Sequence, residues 1–162
     1  MSDSIDSLPD VLRDVKSRPL FVMRLEVKPL VSTGTGPLAE RRIGVVTGGT
    51  FSGGRLSGVV MDGGSDWQTI RPDAIVLDVR LVLKTHDDAL ILMTYRGLRH
   101  GSKEVMARLG RGDVVSASEY YFRTQAQFET SAPQYEWVNR VLAIGIGDRR
   151  PDGPVYSLFE IL

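Results

Sequence analysis

Carboxylates and arginines set among aromatic rings carry most of the chemistry this chain can do. Asp66 stands beside Trp67, Asp78 and Arg80 interrupt the apolar run Ile75–Leu83, and Glu129 follows Phe128. A carboxylate walled in by rings has its pKa raised, which suits it to general acid or base work. Asp66, Asp78 and Glu129 fit that description, and Asp78 or Glu129 is expected as the catalytic acid/base group. Arg123 is expected as the catalytic anion clamp, because a guanidinium fork grips a carboxylate or steadies an enolate-like charge. Arg55, Asp66, Trp67, Arg71, Tyr95, Tyr121, Trp137 and Asn139 are expected to line a ligand pocket of apolar walls with a few aimed polar groups. Two plainer readings compete. Arginines and carboxylates can pair with one another, and polar residues on one face of a strand are what solvent exposure produces.

Other chemistries are poorly served. Zero cysteine removes thiolate metal sites, iron–sulfur clusters, disulfides and cysteine nucleophiles together. His86 and His100 sit in turn-like, polar contexts; in His86-Asp87-Asp88 neighbouring side chains point to opposite sides, so no metal site is expected. The stretch Gly48–Gly54 lacks a G-K-[ST] ending and a following amphipathic helix, so it reads as a glycine-rich turn and not a phosphate loop. No G-x-S-x-G elbow supports a serine triad. No cofactor is expected.

The elements that must position these residues are mostly strands. Leu20–Leu30, Ile75–Lys84, Ala89–Tyr95, Tyr120–Phe128, Trp137–Ile146 and Val155–Leu162 alternate apolar and polar residues with a period of two. Ile43–Val46 and Leu56–Met61 are shorter strands on either side of the glycine-rich turn, and Val31–Leu38 reads as a loop. Leu8, Val11, Leu12 and Val15 recur at helical spacing within Ser7–Ser17, which predicts a short helix. Ser102–Leu109 predicts one or two further turns, ended by Gly110 and Gly112. About eight strands with no strand–helix alternation predict an all-β fold. A strand at each end of the body favours closure of first on last, so a single closed antiparallel β-barrel is expected at residues 19–162, with a β-sandwich as the alternative. Residues 1–18 are expected to form a short N-terminal helical arm.

Composition bounds the partners. The chain has 162 residues with 20 basic and 20 acidic side chains, and a pI near 6.7. That balance argues against nucleic acid as a partner. Met1–Ser7 is polar and acidic, unlike a signal peptide, and runs such as Val141–Ile146 fall far short of the ~20 apolar residues of a membrane helix. A cytoplasmic protein with a small-molecule ligand is expected. Neutral net charge permits a homo-oligomer, dimer or trimer.

A set of motifs carries a family likeness. G-G-R-L-x-G-x-V (Gly53–Val60), G-G-x-D-W (Gly63–Trp67), L-D-V-R (Leu77–Arg80), Y-R-G (Tyr95–Gly97) and Y-F-R…F-E-T…P-x-Y-x-W-V-N (Tyr121–Asn139) resemble the family known as domain of unknown function 3237. The likeness runs from about Pro19 to Leu162, and its later half is the specific part. It implies a small antiparallel barrel similar to the allene oxide cyclase-like barrels, with a ligand cavity inside, and it supplies no settled reaction. One departure is at Thr85-His86-Asp87-Asp88-Ala89, where members often read T-x-D-G-A. Asp88 therefore stands in a glycine position, and if that position needs positive φ, Asp fits it less easily than Gly.

Three functions remain open on this reading. One is a cofactor-free isomerase, cyclase, lyase or hydratase acting on a hydrophobic or aromatic organic acid. Another is a non-catalytic metabolite-binding barrel. The third is an assembly module whose interior is filled by its own side chains.

Overall fold

A computed structural model describes residues 4–162. Ten strands make up most of it: β1 (Ser17–Val27), β2 (Val31–Thr35), β3 (Glu40–Ser52), β4 (Ser57–Val60), β5 (Gly64–Ile70), β6 (Ile75–Thr85), β7 (Leu90–His100), β8 (Tyr121–Glu129), β9 (Ala143–Arg150) and β10 (Gly153–Ile161). One helix, α1 (Lys103–Arg111), crosses between β7 and β8. All strand pairings are antiparallel. The ladder runs β1–β10–β9–β8–β7–β6–β5–β3 and returns to β1, which closes an eight-stranded barrel. The remaining two strands are additions: β2 pairs with β3, and β4 bridges β3 and β6.

Period-two alternation sorts the side chains between lumen and outer wall. Leu77, Val79, Leu81 and Leu83 of β6 are buried, as are Phe122, Thr124, Ala126 and Phe128 of β8, and the residues between them face outward. The two ends of the lumen then differ. At the end near Thr85 and Glu129, Phe21 meets Phe51 and Phe128 edge-on, with ring centroids 5.5 and 6.0 Å apart. Leu83, Ile91, Tyr135 and Val138 share that apolar cluster, so this end is plugged by its own side chains. The end near His100 and Arg150 carries the polar residues.

Several elements depart from expectation. The helical spacing of Ser7–Ser17 yields only two single 3-10 turns, Ile5–Ser7 and Asp10–Leu12. Val11, Leu12 and Val15 remain exposed, so no surface receives the apolar face that a helix this short needs for support. Strand β1 begins at Ser17, and residues 1–3 of the expected arm lie outside the described residues. Val31–Thr35 is a strand, not loop, with a bulge at Ser32–Gly34 where Gly34 has φ 76°. Most of the Gly48–Gly54 segment is also not a turn: β3 runs through to Ser52, and only Gly53 and Gly54 fall in the connection to β4.

Gly49, with φ 145°, lies where β3 leaves β5 to pair with β1, and a Cβ there would stand 2.2 Å from the Arg24 carbonyl oxygen. Glycines at a barrel corner mimic a turn signal. The expected strand Trp137–Ile146 starts only at Ala143. Pro133–Arg140 is instead 3-10 helical, and it opens on proline, which presets the first turn. The helix α1 does match: Ser102 accepts from the Val105 amide, and Gly112 closes its last turn at φ 82°.

Candidate functional site

Four strands send polar side chains into the open half of the lumen. On β5, Gly64, Asp66 and Gln68 alternate inward, and on β7 Tyr95, Gly97 and Arg99 do the same. Tyr156 comes from β10 and Arg149 from the end of β9. Glycines opposite them keep the wall thin. A Cβ at Gly147 would lie 2.5 Å from the Phe122 ring, and one at Gly145 would meet Thr124 Oγ1.

The cavity so formed has a volume of about 320 Å³ and is lined by Asp66, Gln68, Leu77, Arg99, Arg149 and Tyr156. It is bordered by a second hollow of about 310 Å³ beneath α1, which shares Leu30, Arg99 and Arg149 with it. Arg71, His100 and Lys103 stand on that outer rim.

The cavity's polar groups are incompletely paired. Gln68 Nε2 donates to Asp66 Oδ2 at 2.7 Å, but Asp66 Oδ1 and Gln68 Oε1 have no partner. Arg99 is 6% exposed, and its Nε has no acceptor. Among the described residues these three are the buried side-chain polar atoms without a hydrogen bond, and all three line this one cavity. Such orphans are rare in folded proteins, because each costs about 1–3 kcal/mol.

Burial drives the electrostatics. Desolvation pushes the Asp66 carboxyl up to about 6, against the smaller opposing effects of the Gln68 hydrogen bond and the Arg99 charge. Burial lowers Arg99 from its ordinary value, yet a guanidinium starting so high stays charged. The Tyr95 and Tyr156 rings meet edge-on at 5.4 Å, and burial raises both phenols, so they remain hydroxyl donors. The Arg99 guanidinium also stands 5.3 Å over the Phe122 ring.

Of the residues expected from sequence, the lumen gathers Asp66 and Tyr95, and Arg71 reaches the rim, where it pairs with Asp73 at 2.7 Å. Others lie elsewhere. Asp78, Arg123 and Glu129 occupy the outer wall, because each sits one position out of phase with the buried residues of its strand. Asp78 lies 3.6 Å from Arg96 there, and Arg123 lies over Tyr121, itself outward and stacked on His100. Trp67 faces outward and is 58% exposed.

Arg55 and Trp137 meet at the plugged end, the guanidinium 4.0 Å above the indole, where Arg55 also pairs with Glu160. Asn139 clasps Thr130, accepting from its amide at 2.8 Å and donating to its carbonyl at 2.9 Å. Gln68, Arg99, Arg149 and Tyr156 were not foreseen. A period-two extension of β7 past Tyr95, and one step beyond Asp66 on β5, points to Arg99 and Gln68.

Fold and site together define a small closed antiparallel barrel whose lumen is half core and half polar cavity. A family model described as Protein of unknown function (DUF3237) matches residues 15–161, and the chain belongs to that family. UPF0311 protein RPA1785 of Rhodopseudomonas palustris is 31% identical over 149 residues, covering 91% of this chain and 97% of the relative. The crystal structure of that conserved protein of unknown function superposes with a TM-score of 0.87, covering 92% of this chain and 98% of the other. A β-barrel like protein from Acinetobacter baumannii is 35% identical with a TM-score of 0.80, over 92% of this chain and 97% of that one. A structure described as an enzyme from Penicillium herquei matches at 21% identity and a TM-score of 0.69, over 91% and 95% of the two chains. That last likeness carries the fold alone. No helix among the described residues is long and apolar enough to cross a membrane.

Proposed function

We propose that the open half of the lumen binds a small organic acid with an apolar or aromatic body, and that Asp66 exchanges a proton with it. The protein would then be a cofactor-free isomerase, cyclase or lyase. The observation that carries this reading is the convergence of Asp66 Oδ1, Gln68 Oε1 and Arg99 Nε, all unpartnered, on one cavity. A ligand with an anionic oxygen for Arg99 and a donor for Gln68 or Asp66 satisfies what the fold leaves open. A cavity of about 320 Å³ suits a ligand of one or two rings.

The chemistry follows from the charge states. Above pH about 6, Asp66 is ionised and can take a proton from carbon or hydroxyl at Oδ1. The electron pair released moves onto the ligand oxygen beside Arg99, where the fixed guanidinium and the tyrosine hydroxyls stabilise it. The protonated Asp66 then returns its proton at the new position, so the step balances without an oxidant or reductant.

Calorimetric titration with benzoate, cinnamate and indole-3-acetate tests binding, and mass spectrometry in deuterium oxide tests proton exchange into indole-3-acetate. Arg99→Leu is expected to weaken binding at least tenfold. Asp66→Asn is expected to keep binding and lose exchange. Binding without exchange in the wild type would favour a metabolite-binding barrel, and binding indifferent to Arg99→Leu would sink the lumen assignment.

A further inference from the structure

The outer wall of β6–β9 carries a charge pattern that is complementary to itself. Val79, Tyr95, Ala126 and Ala143 form one continuous cross-strand row. On either side of this row the outward residues are balanced. One step away, Asp78, Arg96, Gln125 and Ile144 lie on one side, and Arg80, Thr94 and Gln127 on the other, with Leu142 just ahead of β9. Three steps away, Leu98 and Arg123 face Leu92 and Glu129 across the row.

The wall is also apolar where a solvated sheet face would be polar: Leu92, Leu98, Leu142, Ile144 and Ile146 are all exposed. Arg80, Arg123 and Glu129 have no ion-pair partner among the described residues.

We infer that this wall is an isologous interface with a second copy of the chain, its two-fold axis running along the Val79–Ala143 row. A two-fold axis lying in the interface reverses strand direction while keeping each strand opposite its own copy. It therefore sets Arg123 against the partner copy's acidic end of β8, Asp78 against its Arg80 position, and Leu98 against its Leu92 position. Each contact occurs twice. A different protein would have no reason to match opposite charges at equal distances from one row. The rise of about 3.3 Å per residue puts the Arg123 and Glu129 positions about 10 Å from the axis, inside the footprint of a standard interface of about 800 Å² per partner. The interface does not depend on the reading of the lumen.

Sedimentation velocity with the whole chain, from about 5 to about 200 μM, tests it. Wild type is expected to be dimeric, Arg123→Glu monomeric, and Arg123→Glu/Glu129→Arg dimeric again, because the swap restores both charge pairs. Ile144→Asp is expected to dissociate the dimer, with circular dichroism confirming the fold of each variant. A monomeric wild type would assign the wall to another partner and overturn the proposal. So would a dimer that survives both single changes, or a double variant that stays monomeric.

Discussion

Gln68 and Asp66, two residues apart on β5, share a single hydrogen bond of 2.7 Å, and that bond leaves one oxygen of each side chain facing the cavity without a partner. Alternation forces both side chains inward. The fold thus maintains an acid whose ionisation it disfavours, next to a cation it does not pair. In the proposed reading, the ligand completes these open positions.

The raised pKa of Asp66 has a consequence for stability. Its folded value of about 6 exceeds the ordinary 3.8, so the native state binds more protons than the unfolded chain between those values. Stability is therefore expected to fall as pH rises from about 4 to about 6 and to level off above. Asp66→Asn should remove that slope and gain on the order of 2 kcal/mol at pH 7.5, as read from urea melts across pH.

Arg99 should show a trade between stability and binding. It is buried with no carboxylate in ion-pair range among the described residues, so its desolvation is poorly offset. Arg99→Leu is expected to raise the unliganded melting temperature by a few degrees while abolishing binding of aromatic carboxylates. Thermal melts with and without cinnamate read both effects at once.

At the plugged end, Glu160 is buried and accepts from Arg18 at 2.8 Å and from Arg55. These bonds, Arg18 first, hold its carboxyl below the usual range. Its contribution is present above the ordinary carboxylate pKa and is lost as pH falls through the lower folded value. Glu160→Gln is expected to cost about 2 kcal/mol at pH 7, with a gap to wild type that narrows in acid. Denaturant melts at pH 7 and pH 3.5 check this.

The β6–β7 turn holds Asp88 at φ 65°, in the position where the resembling family often has glycine. Asp88→Gly is expected to fold at least as stably as wild type, losing only the exposed Lys84 pair. Asp88→Val should lose about 1–2 kcal/mol, since a β-branched side chain resists positive φ.

Gly147 borders the lumen against Phe122. Gly147→Ala places a methyl within 2.5 Å of that ring, which must shift. The ring stands under Arg99 and edge-on to Tyr156, both of which line the cavity. A destabilisation of about 1–3 kcal/mol is expected, together with loss of cinnamate binding. Melting and titration of the same variant measure it.

The alternation of Leu77, Val79, Leu81 and Leu83 and of Phe122 to Phe128 was legible in the sequence, because a half-buried strand writes its period directly into residue order. So were the closed all-β architecture and the short helix after Ser102 that ends near Gly112. Which face of each strand looks inward is a different matter. For β6 and β8 the charged face is the outer wall, while for β5 the inward face carries Asp66 and Gln68. Polarity alone reads both as the same pattern.

Only barrel closure separates them, since it fixes one phase for all eight strands and decides which polar rows are enclosed. The pairing of Arg55 with Glu160, 105 positions apart, and the meeting of Asp66, Arg99, Arg149 and Tyr156 from four strands are long-range events. No local spacing encodes them. Local physics set the elements and their two faces; closure chose the face that became a site.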